Sequence, residues 1–318
     1  MTIERMATPL FVSSGDVIAD RRYEFAKDLA ARGDLSGARD LLAQALERAP
    51  GFAAAWFALG EIKSKAGEKD GAIAAFRAAC EADPQDRHGA SLRLARLGAG
   101  DGAIPAGYVR ALFDQYAPDF DRALREGLRY RATALLRAAI EAACKNCGRA
   151  MRFGAMLDLG CGTGLAGAAF RAHVDWLIGV DLSPGMIAQA RAKGLYDRLL
   201  VDDLVQFLAA EAAAQMQHHL VIAADVFAYF ADLAPIAAAV ARVLAPGGLF
   251  AFTTESQTES DDGAGATLGA TLRYAHSAEH VGAALADAGL QFLALTSEST
   301  RTEKGIAVPG LFAVVRRG

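Results

Sequence analysis

M-L-D-L-G-C-G-T-G-L-A-G, residues 156 to 167, carries the strongest signal in this 318-residue chain. Its apolar start, interrupted only by Asp158, indicates a buried strand. Glycines at alternating positions, Gly160, Gly162 and Gly164, then indicate a sharp turn and the start of a helix. Because glycine adopts backbone angles closed to other residues and has no Cβ, a ligand can approach the main chain closely there. The stretch is therefore a candidate nucleotide-binding turn.

The spacing of the glycines bears on which nucleotide binds. The dinucleotide pattern G-x-G-x-x-G fails when counted from Gly160, because Leu165 holds the third position. Counted from Gly162, the sequence does fit the pattern. However, nothing else in the sequence indicates a glycine pair at a strand end with the geometry that binds a phosphate. The phosphate-binding pattern G-x-x-x-x-G-K-[ST] is absent. What remains is Asp158 two residues before G-x-G-x-G, and this pattern resembles the first motif of the class I S-adenosylmethionine (SAM) methyltransferases.

A second apolar run, W-L-I-G-V-D, ends in an acid at Asp181. The resemblance implies that this carboxylate lies at the tip of the second strand and accepts hydrogen bonds from both ribose hydroxyls. Hydrogen bonds to a charged group contribute about 1.5 to 3 kcal/mol each. Leu182 and Met186, which follow, are then expected to flank the adenine.

A third run, residues 199–201, ends in Asp202 and Asp203. In the resembling family an acid here meets the adenine amino group. Asp203 is favoured because Leu204 and the residue after it follow the family's pattern, and Asp202 remains the alternative. A lone aspartate at a strand end is otherwise a helix N-cap, but acids at three successive strand ends favour a ligand site.

Composition sets the broad class of the protein. The length suits two domains, and a net charge of -4 with a pI near 5.9 gives no basic surface of the kind that nucleic-acid binding requires. The sequence has no apolar signal region behind basic residues and no apolar run approaching the length of a membrane span. We therefore expect a cytoplasmic protein that binds neither nucleic acid nor membrane.

The cysteines predict no metal centre. Cys144 and Cys147 form C-x-x-C, but no second cysteine pair or histidine pair lies at metal-ligand spacing. Chance spacing is the preferred explanation. Cys161 lies inside the glycine turn, so we count it among the residues that line the cofactor, with a steric role only.

The first third of the chain contains an internal repeat. Ala45 and Pro50, for example, recur 34 residues later as Ala79 and Pro84. A period of this length, with small residues where paired helices would cross and a proline after the second helix, resembles the tetratricopeptide (TPR) repeat. The resemblance implies a small all-α domain over residues 19–98.

Details of the repeat set its expected size. Trp56 begins the W-x-x-L-G signature, whereas the first repeat has Arg22 at that position and Lys63 replaces the usual tyrosine. A third unit stops at Gly98 after one helix, which predicts two repeats and a capping helix behind a loose leader over residues 1–18. So short a solenoid is expected to pack on a neighbour. A peptide-docking groove and a dimerisation or packing module remain equally open.

Residues 99–107, rich in glycine, are the predicted linker. The following segment resembles the helical lead-in of TPR-containing methyltransferases, whose L-F-D-x-Y-A-x-x-F-D pattern it matches at residues 112–117 and 120–121. Aromatic rings attract a cation such as a sulfonium by about 0.5 to 2 kcal/mol. We assign Tyr116 to an aromatic lid and expect the other aromatics of this segment to pack helices onto the sheet.

The remaining pattern completes the predicted fold. Further strands are expected at residues 219–224, 249–254, 291–296 and 311–315, with a polar loop over 256–266 and a helix over 278–288. No helix separates the last two strands, so the final strand should be antiparallel. The fold class is α/β: a Rossmann-like, seven-stranded SAM-methyltransferase sheet with an antiparallel last strand over residues 108–318, preceded by the TPR domain.

Ligands of open parallel sheets bind outside the carboxyl ends of the strands, so the acids and glycines can surround one SAM molecule. Asp225 is assigned both to the cofactor and, with Tyr229 and His276, to the candidate catalytic residues; Glu255 is a further candidate base. A lone histidine at a helix entry is more often structural.

The pattern N-P-P-[FY] is absent after the fourth strand, which disfavours methylation of nucleobases and leaves small-molecule, quinone-like or protein acceptors. Three hypotheses follow from the sequence. The first is a SAM-dependent methyltransferase whose TPR domain docks a partner or dimerises. The others are a nicotinamide-dependent oxidoreductase, disfavoured by the glycine spacing, and a non-catalytic TPR binding protein with a SAM-binding scaffold.

Overall fold

A computed structural model of the chain describes residues 13–258, 265–269, 271–303 and 305–318. For residues 125 and 126 it describes the backbone only. The described residues form two compact units, which meet in sequence between Leu112 and Phe113. The predicted leader, residues 1–18, lies mostly outside the described residues, and its last two residues already belong to the first helix.

The first unit consists of antiparallel helix pairs. Asp16 and Asp34 start the first two helices by accepting hydrogen bonds from main-chain amides of the first turn. A Cβ on Gly60 would lie 2.6 Å from the ring of Phe76, so the small residue lets α3 and α4 pack closely. The helices are α1 (Val17–Ala31), α2 (Leu35–Arg48), α3 (Ala53–Lys65), α4 (Lys69–Ala82) and α5 (Ala90–Arg96).

Helix α5 is the predicted capping helix. The carboxylate of Asp86 accepts hydrogen bonds from the amides of Ala90 and Ser91, at 2.6 and 2.9 Å, and so fixes the start of the helix. Leu94 packs with Phe76 in one apolar cluster, which extends the core of the repeats.

The lead-in to the sheet is helical. Helix α6 (Ala106–Tyr116) begins within the segment predicted as the linker and crosses the division between the two units. It is followed by α7 (Phe120–Arg122), one π-helical turn (Ala123–Gly127) and α8 (Ala132–Asn146).

The second unit is built on a mixed sheet in the order β3-β2-β1-β4-β5-β11-β8. Strands β1 to β5 pair in parallel, whereas β11 is antiparallel to both β5 and β8, as predicted. Two short strands, β6 and β7, extend beyond this path, and β9 pairs with β10 as a separate hairpin. The strands are β1 (Phe153–Leu159), β2 (Val174–Asp181), β3 (Arg198–Val201), β4 (His218–Ala223), β5 (Leu244–Ser256), β6 (Ala266–Leu268), β7 (Tyr274–His276), β8 (Leu290–Ser297), β9 (Arg301–Glu303), β10 (Ile306–Val308) and β11 (Gly310–Arg317).

Helices cover both faces of the sheet. The helices of this unit after α8 are α9 (Leu165–Phe170), α10 (Pro184–Ala192), α11 (Leu204–Ala213), α12 (Ala234–Val243) and α13 (Ala278–Asp287). The α/β class and the antiparallel last strand are therefore confirmed. Among the described helices, none is long and apolar enough to cross a bilayer.

Two details of the prediction need correction. Strand β5 begins at Leu244, directly after α12, because A-P-G-G continues the strand through a register shift opposite β4 instead of forming a separate turn. His276 lies in β7, paired with Ser256 of β5, because the chain after the polar loop adds short strands to the sheet. Part of that predicted loop, residues 259–264, lies outside the described residues.

Candidate functional site

The glycine turn follows β1 directly and is shaped largely by Tyr196. A Cβ on Gly164 would lie 2.9 Å from the Tyr196 ring, and one on Gly167 or Gly179 would lie within 2.5 to 2.8 Å of it. These three glycines therefore make room for a side chain of the protein itself, a role that the sequence analysis did not assign to any glycine.

The hydroxyl of Tyr196 bridges the strand and the following helix. It donates a hydrogen bond to Asp158 at 2.6 Å and accepts one from the amide of Gly167 at 3.1 Å. Asp158 is buried, and burial raises its pKa to about 7, although the bond from Tyr196 opposes the rise. Asp158 thus stabilises the turn from within, a role that the motif letters did not indicate.

Gly162 is the open position of the turn. It has φ +53, and the described residue that comes within 4 Å of a Cβ placed there is Phe120, at 3.9 Å. By contrast, a Cβ on Gly160 would lie 2.5 Å from Val226. Cys161 is buried between them, in agreement with a steric role. A ligand would therefore approach the main chain at Gly162.

Asp181 lies at the end of β2, beside this open position. Its two carboxylate oxygens accept hydrogen bonds from the amides of Gly162, at 2.9 Å, and Ser183, at 2.8 Å. Burial raises the pKa of Asp181 to about 6, partly offset by these two bonds. Because a carboxylate has about four lone-pair sites, hydrogen bonds to further donors such as ribose hydroxyls remain possible.

Helix α6 is tied to the start of α10 by Asp114, which sequence reasoning did not single out. Its carboxylate accepts hydrogen bonds from the hydroxyl of Ser183, at 2.6 Å, and the amide of Gly185, at 2.9 Å. Met186 is buried beneath this contact, whereas Leu182 is only partly buried. Asp114 is the first D of the lead-in pattern L-F-D-x-Y-A-x-x-F-D. This match is the sequence signal that could have identified it.

A second acid of the lead-in, Asp121, binds the other side of the turn. It accepts hydrogen bonds from the hydroxyl of Thr163 and from the Lys193 ammonium, the latter at 2.6 Å. Tyr116, predicted as the lid, is buried with 5% of its surface exposed. The ring that overlies Gly162 belongs to Phe120 instead.

The acids after β3 serve the helix that follows. Asp203 caps α11 by accepting hydrogen bonds from the amides of Val205 and Gln206, so it acts as the N-cap that the sequence left open as an alternative. Asp202 accepts a hydrogen bond from the amide of Asp203 at 2.8 Å. Leu204, the first residue of α11, is buried.

Asp225 follows β4 with a left-handed backbone, φ +58, which is rare outside glycine and concentrates at functional sites. Thr253 of β5 holds it by two bonds: the Asp225 amide donates to the threonine hydroxyl at 2.8 Å, and that hydroxyl donates to the Asp225 carboxylate at 3.0 Å. The carboxylate is therefore fixed at the carboxyl edge of the sheet.

Three aromatic side chains, Phe120, Phe113 and Tyr229, form an aromatic layer at this edge. Ring centroids of Phe113 lie 6.0 Å from Phe120 and 5.5 Å from Tyr229, both in edge-on geometry. The Tyr229 hydroxyl accepts a hydrogen bond from Arg273 at 3.0 Å, and the Arg273 guanidinium lies 5.0 Å from its ring centroid. Burial raises the pKa of Tyr229, which Arg273 opposes.

Beyond the aromatic layer lies a buried ionic cluster that the sequence did not predict. The carboxylate of Glu255 pairs with both Arg273 and Arg301, and Arg301 also pairs with Glu303 at 3.0 Å. Burial raises the pKa of Glu255, but the two guanidiniums outweigh it and lower that pKa overall. Glu255 is therefore an ionised partner of two cations and a poor general base.

His276 is fully buried and bonded to the main chain. Its Nε2 lies 3.1 Å from the carbonyl of Phe227, and its ring stacks on His280 at 5.4 Å. Burial lowers the pKa of His276 to about 4, against the effect of the Phe227 carbonyl. This histidine is neutral near pH 7 and has the contacts of a structural residue.

No group of three or more histidine, cysteine or acidic side chains lies at metal-binding distance among the described residues, and Cys144 and Cys147 are free thiols.

Comparisons with known proteins agree with this geometry. The profile of a methyltransferase domain matches residues 157–250, and that of a tetratricopeptide repeat matches residues 23–87. Methyltransferase-like protein 27 of Homo sapiens is 38% identical over 113 residues, 35% of this chain and 44% of that protein. The malonyl-[acyl-carrier protein] O-methyltransferase of Serratia marcescens is 31% identical over 99 residues, 31% of this chain and 37% of that protein.

The chain thus spans less than half the length of these curated relatives. Among solved structures, magnesium protoporphyrin IX methyltransferase from Synechocystis PCC 6803 with bound S-adenosylhomocysteine (SAH) is similar with a TM-score of 0.49 and 16% identity, covering 69% of this chain and 100% of that one. The chain is therefore similar to methyltransferase domains over residues 157–250 and to tetratricopeptide repeats over residues 23–87.

Proposed function

We propose that the protein is a SAM-dependent methyltransferase, with residues 108–318 as the catalytic domain. The observation that carries this proposal is the pairing of Asp181 with the open glycine turn, since its carboxylate bonds to the amide of Gly162 at 2.9 Å. This arrangement presents a carboxylate and an unobstructed main chain to the same space. Both features suit a nucleoside.

The proposed cofactor contacts follow from this placement. Asp181 would accept the ribose hydroxyls, and Leu182 and Met186 would adjoin the adenine. Asp202 or Asp203 would accept a hydrogen bond from the adenine amino group through a carboxylate oxygen that is not bonded to the main chain. SAM supplies an activated methyl group on its sulfonium when bound. The protein's main contribution is then in-line placement of the acceptor, which accounts for several kcal/mol of barrier.

The candidate bases differ in which protein groups they already bind. His276 is neutral but bonded to a carbonyl, and Glu255 is paired with two arginines. Asp225 and Tyr229 stay the proposed catalytic residues, because Asp225 is held by Thr253 at the carboxyl edge and Tyr229 belongs to the aromatic layer at that edge. Their proposed role is to position the acceptor.

The acceptor is a small molecule or a protein-borne group. The Serratia marcescens relative is by its name an O-methyltransferase of a malonyl group on a carrier protein.

The TPR unit, residues 19–98, is proposed to dock a protein partner or to mediate self-association. A cytoplasmic location stays a prediction.

Calorimetry tests the proposal with SAM, SAH and NADH as titrants. Micromolar binding of SAM and SAH without a response to NADH is the expected result. Binding of NADH alone would contradict it, and SAM binding without methyl transfer in a broad acceptor screen would favour a non-catalytic TPR binding protein. A chain lacking residues 1–98 should keep its SAM affinity if the repeats only recruit partners.

A further inference from the structure

Within the part of the chain that the structure describes, the buried ionic cluster contains charged nitrogens without a hydrogen-bond partner. Arg273 and Arg301 are 6% and 2% exposed. Arg273 uses Nε for Glu255 and one terminal nitrogen for Tyr229, while Arg301 uses Nε and one terminal nitrogen for acidic partners. Among the described residues, neither Nη2 of Arg273 nor Nη1 of Arg301 has a hydrogen-bond partner, although both atoms are buried.

Such atoms are expensive to leave unpaired. A buried donor without an acceptor loses its hydrogen bond to water and gains none in return, and the loss is greater for a charged donor. The two nitrogens, called the donor pair below, lie on guanidiniums that share the carboxylate of Glu255. An acceptor atom brought within hydrogen-bond distance of each would satisfy them.

The donor pair adjoins the proposed catalytic space. Tyr229, which accepts a hydrogen bond from Arg273, is part of the aromatic layer and contacts Phe113. The charges of Asp225, Arg301, Asp158 and Arg273 all act on the Tyr130 phenol, whose pKa is raised well above its usual value, chiefly by burial. The main chain next to Tyr130 adjoins Arg301, because the amide of Arg131 donates a hydrogen bond to the carbonyl of Thr300 at 2.8 Å.

We infer that Arg273 and Arg301 bind a carboxylate of the methyl acceptor, through the unpaired Nη2 of the first and Nη1 of the second. The inference rests on the proposed methyltransferase function and names the substrate class of that same site. Guanidiniums form charge-assisted hydrogen bonds with carboxylates, and the two oxygens of a carboxylate match one nitrogen from each arginine.

The charge of the cluster favours a carboxylate over a phosphate. Glu255 and Glu303 already balance the two guanidiniums, and Asp225 acts on Arg273 from nearby. Burying each further negative charge in this cluster carries a desolvation cost, and fewer unpaired cations remain to offset it. A single charge shared by two oxygens is therefore preferred to a phosphate dianion.

The experiment uses the full chain saturated with SAH and a panel of aliphatic and aromatic carboxylic acids, each paired with its primary amide. Calorimetry first establishes SAH binding, and saturation-transfer NMR then compares acid with amide. We expect acids to bind at least about tenfold more tightly than their amides, since the amide loses the charge-assisted bonds. Phosphate monoesters of the same skeletons are expected to bind more weakly than the acids.

Variants locate the effect. R273K keeps a cation beside Glu255 but removes Nη2, and R301Q removes the second donor; each should lower acid affinity about tenfold while leaving SAH affinity within about twofold. R131Q is the matched control, because Arg131 is an exposed arginine paired with Glu298. It should change neither affinity.

Failure takes distinguishable forms. No SAH binding by the unmodified chain would overturn the proposed function itself. SAH binding with acids no better than amides, or acid binding unaffected in both variants, would overturn only the carboxylate inference. The acid-to-amide comparison needs no variant, so it decides the question even if R301Q does not fold.

Discussion

The two sides of the carboxyl edge use their charged residues in opposite ways. On the β1–β3 side, Asp158 and Asp181 face uncharged partners, a tyrosine hydroxyl and main-chain amides, and burial raises both pKa values. On the β4–β9 side, Glu255 lies between two buried guanidiniums, and its pKa is lowered. On the first side the environment therefore favours the neutral form of the two carboxyl groups, whereas the second side is stabilised by ionised pairs.

The largest expected effect tests the second side. E255Q leaves Arg273 and Arg301 buried without their shared counter-charge, and breaking a buried pair in this way costs about 3 to 5 kcal/mol. Urea unfolding should show that loss in the free energy of unfolding at pH 7. Because the pKa of Glu255 is lowered, its contribution is present above the unfolded pKa of 4.5 and disappears as pH falls below it.

D175N is the control, because Asp175 forms an exposed ion pair with Arg152. Exposed pairs contribute about 0 to 1 kcal/mol, so this variant should be almost neutral. Equal losses in E255Q and D175N would remove the contrast between the two sides.

The next prediction concerns ligand binding on the first side. D181A removes the proposed acceptor of both ribose hydroxyls, so SAM affinity should fall at least about 150-fold, the equivalent of two hydrogen bonds to a charged group at about 1.5 kcal/mol each. Calorimetry measures the affinity, and circular dichroism should show a folded protein. Because Asp203 is committed to capping α11, D203A should weaken SAM binding less than D181A does; the reverse order would contradict the ribose assignment.

On the β1–β3 side the sequence predicted the strands and the helix starts, because the residues that form them are contiguous in short motifs. The glycines, Asp158 and Asp181 each directly end a strand or open a helix, so local pattern places them. On the β4–β9 side the sequence indicated Glu255 as a candidate base but not its pairing with two arginines, because Glu255, Arg273 and Arg301 come from separate segments. Their partnership depends on how β7 and β9 fold back, which no local periodicity encodes.

Tyr196 illustrates the same limit within the well-predicted side. The motif indicated glycines with room for a ligand, and this holds for Gly162. It did not indicate that Gly164, Gly167 and Gly179 surround the ring of Tyr196, which lies far from the motif in sequence. A glycine pattern shows where a Cβ is excluded but not which neighbour excludes it.

Glycine substitutions separate these two uses of small residues. In G167A the new Cβ would lie 2.5 Å from the Tyr196 ring, so overpacking should cost about 1 to 3 kcal/mol of stability. In G162A the new Cβ meets open space, and the positive φ costs only about 1 kcal/mol, but SAM affinity should fall. Chemical unfolding and calorimetry measure the two quantities. A larger loss of stability in G162A than in G167A would contradict the assignment of the open position.

The last prediction tests the sign of the pH dependence on the first side. Asp158 has a folded pKa of about 7 against 3.8 in the unfolded chain, so its favourable contribution is complete below 3.8 and is lost as pH rises through 7. D158N keeps an acceptor for the Tyr196 hydroxyl and cannot ionise. Its unfolding free energy relative to the unmodified chain should therefore rise between pH 4 and pH 7 and level off above that, which is opposite in sign to the acid loss expected from Glu255. Urea titrations at several pH values, with D175N as the reference, measure this difference, and a flat profile would place the ionised form of Asp158 in the folded protein throughout the range.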